Sequence, residues 1–313
     1  MKSYYIILRY ELFSLFISPS TYVAAFYFLS LLALGFRFFI ETFSSTDWLL
    51  PPLSSLIVGL LFGAPALIPF ITMKCFAEER RLGTLETLFS APVSNWILVI
   101  GKWSGCFTFF IIISALALCF PLLLLFMFPE QGGNLGFSEI ENWAGSTLYL
   151  LIFGGTFTAI GVFSSSITKN QMVAGMLTFT LLTAYLSIMV FSFGNQTSDA
   201  YFTNYQKLTN GLFGTYINGL DKFGQFSVGL IDLSTILNQA ALTIFFLILS
   251  IGLTSCVSKK KFTNMEDKYK QNMDIANKQL GDCGVSLNEY MNRNSEIRSE
   301  LKSAKTALQL RQE

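Results

Sequence analysis

The sequence predicts an all-α integral membrane protein: six transmembrane helices, an N-terminal interfacial amphipathic helix before them, and a C-terminal helical cytoplasmic tail after them. Three observations predict it. Apolar stretches long enough to cross a bilayer recur six times, Lys and Arg gather at alternate ends of those stretches, and charge is sparse up to residue 259 but dense beyond it. Only 13% of residues are charged and 52% are hydrophobic, whereas a soluble domain carries roughly a quarter charged residues. A net charge of +1 gives no electrostatic footing for a nucleic-acid partner. The chain therefore divides into an interfacial connecting helix (1–19), a six-helix membrane domain (20–258) and a charged helical tail (259–313).

Residues 3–18 carry Tyr4, Leu8, Leu12 and Leu15 on one face at helical spacing, with Tyr5 and Phe16 beside them. Lys2, Arg9, Glu11, Ser14 and Ser18 fall on the other side, as expected of a helix lying in the interface plane, and Pro19 marks its end. The alternative is that this segment merely extends the first span. Arg9 and Glu11 interrupt its apolar run, so it does not read as a cleavable signal.

The spans are expected at 20–40, 53–73, 100–128, 143–167, 171–193 and 235–257. Arg37 can snorkel from the first. Pro65 and Pro69 interrupt the second, and Pro121 is placed to kink the third. Orientation follows from the basic residues. With the N-terminus inside, Lys2, Arg9, Lys74, Arg80, Arg81, Lys102, Lys169 and Lys259 to Lys261 are cytoplasmic, and only Arg37, Lys207 and Lys222 are external. Both termini are then cytoplasmic. Residues 194–234 read as short external helices packed on the bundle.

Eleven of the 21 Lys and Arg and eight of the 20 Asp and Glu lie in 259–313. Met265, Tyr269, Met273, Ala276 and Leu280 form one helical pattern there. Gly281-Asp282-Cys283-Gly284 breaks it, and Leu287, Tyr290, Asn294, Ile297, Leu301, Ala304 and Leu308 resume with 3-4 alternation. A short coiled coil, two helices folded back on each other, and a solvated tail are all compatible with this.

Catalytic chemistry has little to work with. The chain has no His, its five Cys are scattered singly, and no GxxxxGK[ST] phosphate loop occurs. No Asp, Glu, Lys or Arg is expected deep in a span, which argues against an intramembrane enzyme and an ion-coupled carrier. No cofactor and no metal ligand set is expected.

The most informative segment joins spans two and three, from Lys74 to Ser94. Glu78, Glu79, Arg80 and Arg81 are packed together, Gly83 follows, and Leu85, Leu88 and Phe89 then share one face of a run that Pro92 ends. A short, rigid, amphipathic element between two spans suits transmission of a push from a soluble partner. Its wording, FAEERRLGTLETLFSAPVSNWILVIGKW, resembles the permeases of ABC-2 type transporters, in the stretches Glu78 to Arg81, Gly83 to Glu86, Pro92 to Ser94 and Gly101-Lys102. RYELFSLFISPSTYV, with Glu11, Ser18, Pro19 and Tyr22, is similar to that family's connecting helix. AIGVFSSSITKNQMVAG resembles its turn between spans four and five, and VGLIDLSTIL its entry to the last span. The likeness covers about residues 5–257, and gliding-motility-associated permeases are the subgroup it most resembles. Lys169 and Ser234 depart from the family pattern, and most such permeases end soon after the sixth span.

The resemblance implies a permease subunit of the bacterial inner membrane, paired with a second permease subunit and embedded in lipid. ATP hydrolysis would lie on a separate ABC ATP-binding subunit. Its contact would be the elbow residues Glu78, Glu79, Arg80, Arg81, Gly83, Thr84, Leu85, Glu86 and Pro92, with Arg9, Glu11 and Pro19 marking the connecting helix. A membrane scaffold that drives motility or envelope assembly without transport is the alternative the subgroup suggests.

Overall fold

The computed structural model describes residues 2–45, 52–84, 94–130, 137, 139–194 and 220–309. Among them lie the helices α1 (Lys2–Ile17), α2 (Pro19–Ser45), α3 (Pro52–Thr72), α4 (Ala77–Leu82), α5 (Asn95–Met127), α6 (Ile140–Ile167), α7 (Gln171–Gly194), α8 (Leu220–Ser227) and α9 (Leu233–Gln309), with no strand among the described residues. Six helices are long and apolar enough to cross a membrane: α2, α3, α5, α6, α7 and the first part of α9. The chain is a multi-pass membrane protein. It divides into two units, Met1–Ser255 and Cys256–Glu313.

In the first unit α3 and α6 form the centre. Helices α2, α6 and α7 pack on α3, while α5, α7 and α8 pack on α6. Lipid tails are as apolar as Leu, so close packing rather than water exclusion must hold these helices together, and it needs small residues at the contacts. Helix α6 supplies them: Gly154, Gly155, Thr156, Thr158, Ala159, Gly161 and Ser164 to Ser166 are all buried. A Cβ at Gly161 would stand 2.5 Å from Thr72 Oγ1 of α3, so only glycine permits that approach. The outward faces are apolar in turn, with Val23, Phe26 and Leu34 of α2 and Leu237, Ile244 and Phe245 of α9 exposed.

Buried polar groups are bonded in local clusters. Gln239 of α9 is 1% exposed. Its amide lies 2.9–3.1 Å from the Tyr185 hydroxyl of α7, and Thr156 of α6 donates to its Oε1 at 3.1 Å. Towards one end of the bundle, Ser54 and Ser146 donate to Asn142 Oδ1 at 3.0 and 3.1 Å. Helix α8 caps that end: Phe223 and Phe226 pack on Tyr149 with ring centroids 4.9 and 5.4 Å away, and the Phe226 carbonyl sits against Gly145. Asp232 accepts from the Ser234 amide at 3.1 Å and so caps the start of α9. Helix α5 continues through Pro121 without a break. Between α2, α3 and α7 a cavity of about 890 Å³ is lined mostly by apolar side chains, including Tyr27, Pro65, Pro69, Met176 and Phe179.

Of the short helices expected in 194–234, residues 220–227 form α8, and 195–219 lie outside the described residues.

In the second unit the sequence reading is corrected. No turn occurs at Gly281-Asp282-Cys283-Gly284, because α9 is helical through all four. Each glycine costs a helix roughly 1 kcal/mol relative to alanine. That is too little to stop a helix that propagates from both flanks, where each further residue adds a bond without a new nucleation cost.

Candidate functional site at the charged elbow

The elbow begins where α3 runs out. Thr72 Oγ1 turns back to the Ile68 carbonyl at 3.0 Å, and Met73–Phe76 form a turn closed by Cys75 N donating to Thr72 O at 3.1 Å. Helix α4 follows, only six residues long. A helix that short does not persist alone, and Phe76 at its N-cap has no side-chain acceptor. The cap comes from α6 instead. Ser165 Oγ accepts from the amides of Phe76 at 3.0 Å and Ala77 at 3.2 Å, and reaches the Met73 carbonyl at 3.4 Å. Arg80 Nη1 donates to the Ile167 carbonyl at 3.4 Å. Glu78 and Glu79 lie in the first turn and Arg80 and Arg81 in the last, the order that complements the helix dipole. Gly83 ends α4 in the left-handed region at φ 75°, where a Cβ would be strained.

Removing the Ser165 hydroxyl orphans two buried amides, each worth about 1–3 kcal/mol when left unpaired. Ser165→Ala is expected to lower the melting temperature of the purified protein and to speed hydrogen exchange at Phe76 and Ala77. Unchanged exchange there would remove Ser165 as the cap.

Beneath α4 lies an ion cluster that the sequence reading does not anticipate. Lys102 of α5 is 2% exposed. Its Nζ is 3.0 Å from Glu11 Oε2 on α1 and 2.7 Å from Glu79 Oε1 on α4, and lies 5.4 Å from the centre of the Phe76 ring. Two acids and one base from three elements thus meet at one buried point. Glycines make room for it: Ile7 of α1 rests on Gly101 and Glu11 on Gly105, where a Cβ would come within 2.9 Å of either side chain. Tyr4 donates to Ser104 Oγ at 2.9 Å and completes the contact.

Cys75 and Cys106 are buried with their sulfurs 3.8 Å apart, and Glu11 joins them in a group whose ligand atoms lie within 4.8 Å of one another. A metal there would have to sit against the Lys102 ammonium, which already neutralises Glu11. The donor set does not favour a metal, and the group reads as the apolar flank of the ion cluster.

The predicted site residues separate into three groups. Glu79 and Arg80 hold α4 to the bundle. Arg81, Leu82, Gly83 and Thr84 are exposed, Glu78 is half-buried, and Thr84 Oγ1 reaches the Glu79 carbonyl at 3.5 Å. Leu85, Glu86 and Pro92 lie outside the described residues. A cleft of about 370 Å³ opens between α1 and α4, lined among others by Tyr10, Ser14, Lys74, Glu78 and Leu82. Glu79 Oε2 and Arg80 Nε and Nη2 are buried without a hydrogen-bond partner among the described residues.

On the N-terminal helix two expectations are corrected. Glu11 and Ser18 are buried at 6% exposure, whereas the sequence reading puts them on the solvent side. The face bearing Tyr4, Leu8, Leu12 and Leu15 packs on α5, and the outward face is itself apolar, with Ile6, Tyr10, Phe13 and Ile17 exposed. Arg9 is exposed, and Pro19 opens α2 at a helix's first position, where its missing N–H costs nothing. Between them Ser18 Oγ accepts from Lys74 at 2.5 Å. Lys102, counted in the sequence only as one of the cytoplasmic basic residues, is buried. The signal was present in Gly101-x-x-x-Gly105, the spacing that lets a second helix close on α5.

A family model described as "ABC-2 family transporter protein" matches residues 16–258. Among curated proteins no match is found.

Proposed function

The chain belongs to the ABC-2 transporter family, and from that premise we propose that it is a permease subunit forming an export pathway, driven through the elbow by a separate ATP-binding subunit. One observation carries the proposal. Helix α4 is clamped to α6 through Ser165, to α5 through Lys102, and to α1 through the shared ion cluster, yet it leaves Arg81, Leu82, Gly83 and Thr84 exposed beside a cleft. A displacement of that exposed edge would pass into three elements at once. The ATPase cycle would thereby bias the equilibrium between permease states.

The basic residues Lys74, Arg80 and Arg81 support a cytoplasmic elbow in a bacterial inner membrane, with both termini on that side. A second permease subunit completes the pathway. The apolar cavity between α2, α3 and α7 supports an amphipathic or lipid-linked cargo better than a small ion.

The test uses the permease purified with its ATP-binding subunit. Arg81→Glu with Leu82→Ala is expected to lower permease-stimulated ATPase activity by about tenfold, as loss of an interface anchor does, at unchanged membrane level. Arg80 is kept because it also holds Ile167. Stimulation equal to the parent's would place the contact elsewhere.

A further inference from the structure

Continuity of α9 across Gly281 to Gly284 puts the two tail patterns into one frame. Counting in sevens, Met273, Leu280, Leu287, Asn294, Leu301 and Leu308 occupy position a. Ala276, Cys283, Tyr290, Ile297 and Ala304 occupy position d. A turn would have cut this seam after Leu280. The unbroken helix instead carries it without a register shift from 273 to 308, well beyond the three heptads that the second pattern offers alone.

The described residues of the seam are exposed. Met273, Leu280, Leu287, Tyr290, Ile297 and Leu301 are each at least half exposed, and Cys283 is exposed too. The opposite side carries Asp274, Lys278, Asn288, Asn292, Ser295 and Ser299. A helix built this way is stable in water only when another covers its stripe.

The stripe names its own partner. Among the a positions from 273 to 308 only Asn294 is polar. In a parallel, in-register pair the two Asn294 amides meet and bond, whereas any stagger or reversal buries each against an apolar side chain. In the same alignment Glu300 at g approaches Lys305 at e of the other helix, while Arg293 opposes Arg298 one heptad earlier. The flanks are nearly balanced, so the seam sets the register. We infer that residues 273–308 form a parallel two-stranded coiled coil with the same segment of a second copy of this chain. The inference stands on the tail alone and does not depend on the transport reading.

Position d places Cys283 opposite its own copy, which supplies the experiment. Full-length protein in native membranes is oxidised with copper–phenanthroline, and a covalent dimer is expected that disappears in Cys283→Ser. In that background Val285→Cys, on the outer face at f, should cross-link more slowly by on the order of tenfold. Leu287→Asp with Leu301→Asp should abolish the Cys283 dimer while the membrane level holds. Absence of a Cys283 dimer, as an antiparallel pair would also give, overturns the inference. So do equal rates at 283 and 285, or a dimer that survives the two aspartates.

Discussion

Lys102→Met is expected to destabilise the protein by about 3–5 kcal/mol, the usual consequence of removing one partner from a buried ion pair. The substitution keeps most of the side-chain volume, so packing changes little. What changes is that the Glu11 and Glu79 carboxylates, each now within 3.0 Å of the ammonium, would face each other across an uncharged group. The measurement is the melting temperature of detergent-purified protein followed by size-exclusion chromatography, together with its level in the membrane. Adding Glu11→Gln and Glu79→Gln should restore most of the loss, since amides can share hydrogen bonds where two carboxylates repel. If the triple variant melts as low as Lys102→Met alone, the lysine acts through its packing and the electrostatic account fails.

Gly105→Leu is expected to be nearly as damaging, by a different route. The new Cβ would stand 2.9 Å from Glu11 Cβ and 3.0 Å from its Cγ, with the Leu8 carbonyl 3.8 Å away, so α1 itself must move. Overpacking alone costs about 1–3 kcal/mol, and the displacement also draws Glu11 away from Lys102. Leu15, 3% exposed in the native protein, reports on this. A cysteine placed there should resist maleimide in the parent and react readily in the Gly105→Leu background. Gly35→Leu is the control, because nothing lies within 4 Å of a Cβ at that position. Equal reactivity in both backgrounds would mean that α1 does not depend on the glycine.

The same residues show what sequence could and could not disclose. The six spans were legible because a run of about 20 apolar residues has no economical use outside a bilayer. The ends of the first five spanning helices fall within five residues of expectation, as at Asn95 against 100 and Ser45 against 40, and the sixth begins at Leu233 against 235. That Tyr4, Leu8, Leu12 and Leu15 share one face of α1 was legible too, but that this face packs on α5 was not. Glu11 was not, because periodicity sorts residues by polarity and a carboxylate on an apolar face looks misplaced until its lysine is found 91 positions away. Ser165 lay hidden for a related reason. A hydroxyl inside a span reads as filler, and only the fold brings it to the bare N-terminus of α4. The tail erred in the other direction: two glycines in four residues looked like a turn, although their cost is small beside the helix that surrounds them.

The separation of Glu11 from Lys102 bears on how the protein is made. At roughly 5–20 residues per second, a ribosome needs about 5–20 s after releasing the acid before the base exists. During that interval the α1 segment, greasy on both sides but carrying a carboxylate, has no pocket to enter. Headgroups and water must shelter it until α5 is inserted with Gly101 and Gly105 turned towards it. Docking of α1 therefore waits until α5 has been made, and a chain stalled by translation before Lys102 should leave the α1 segment open to protease.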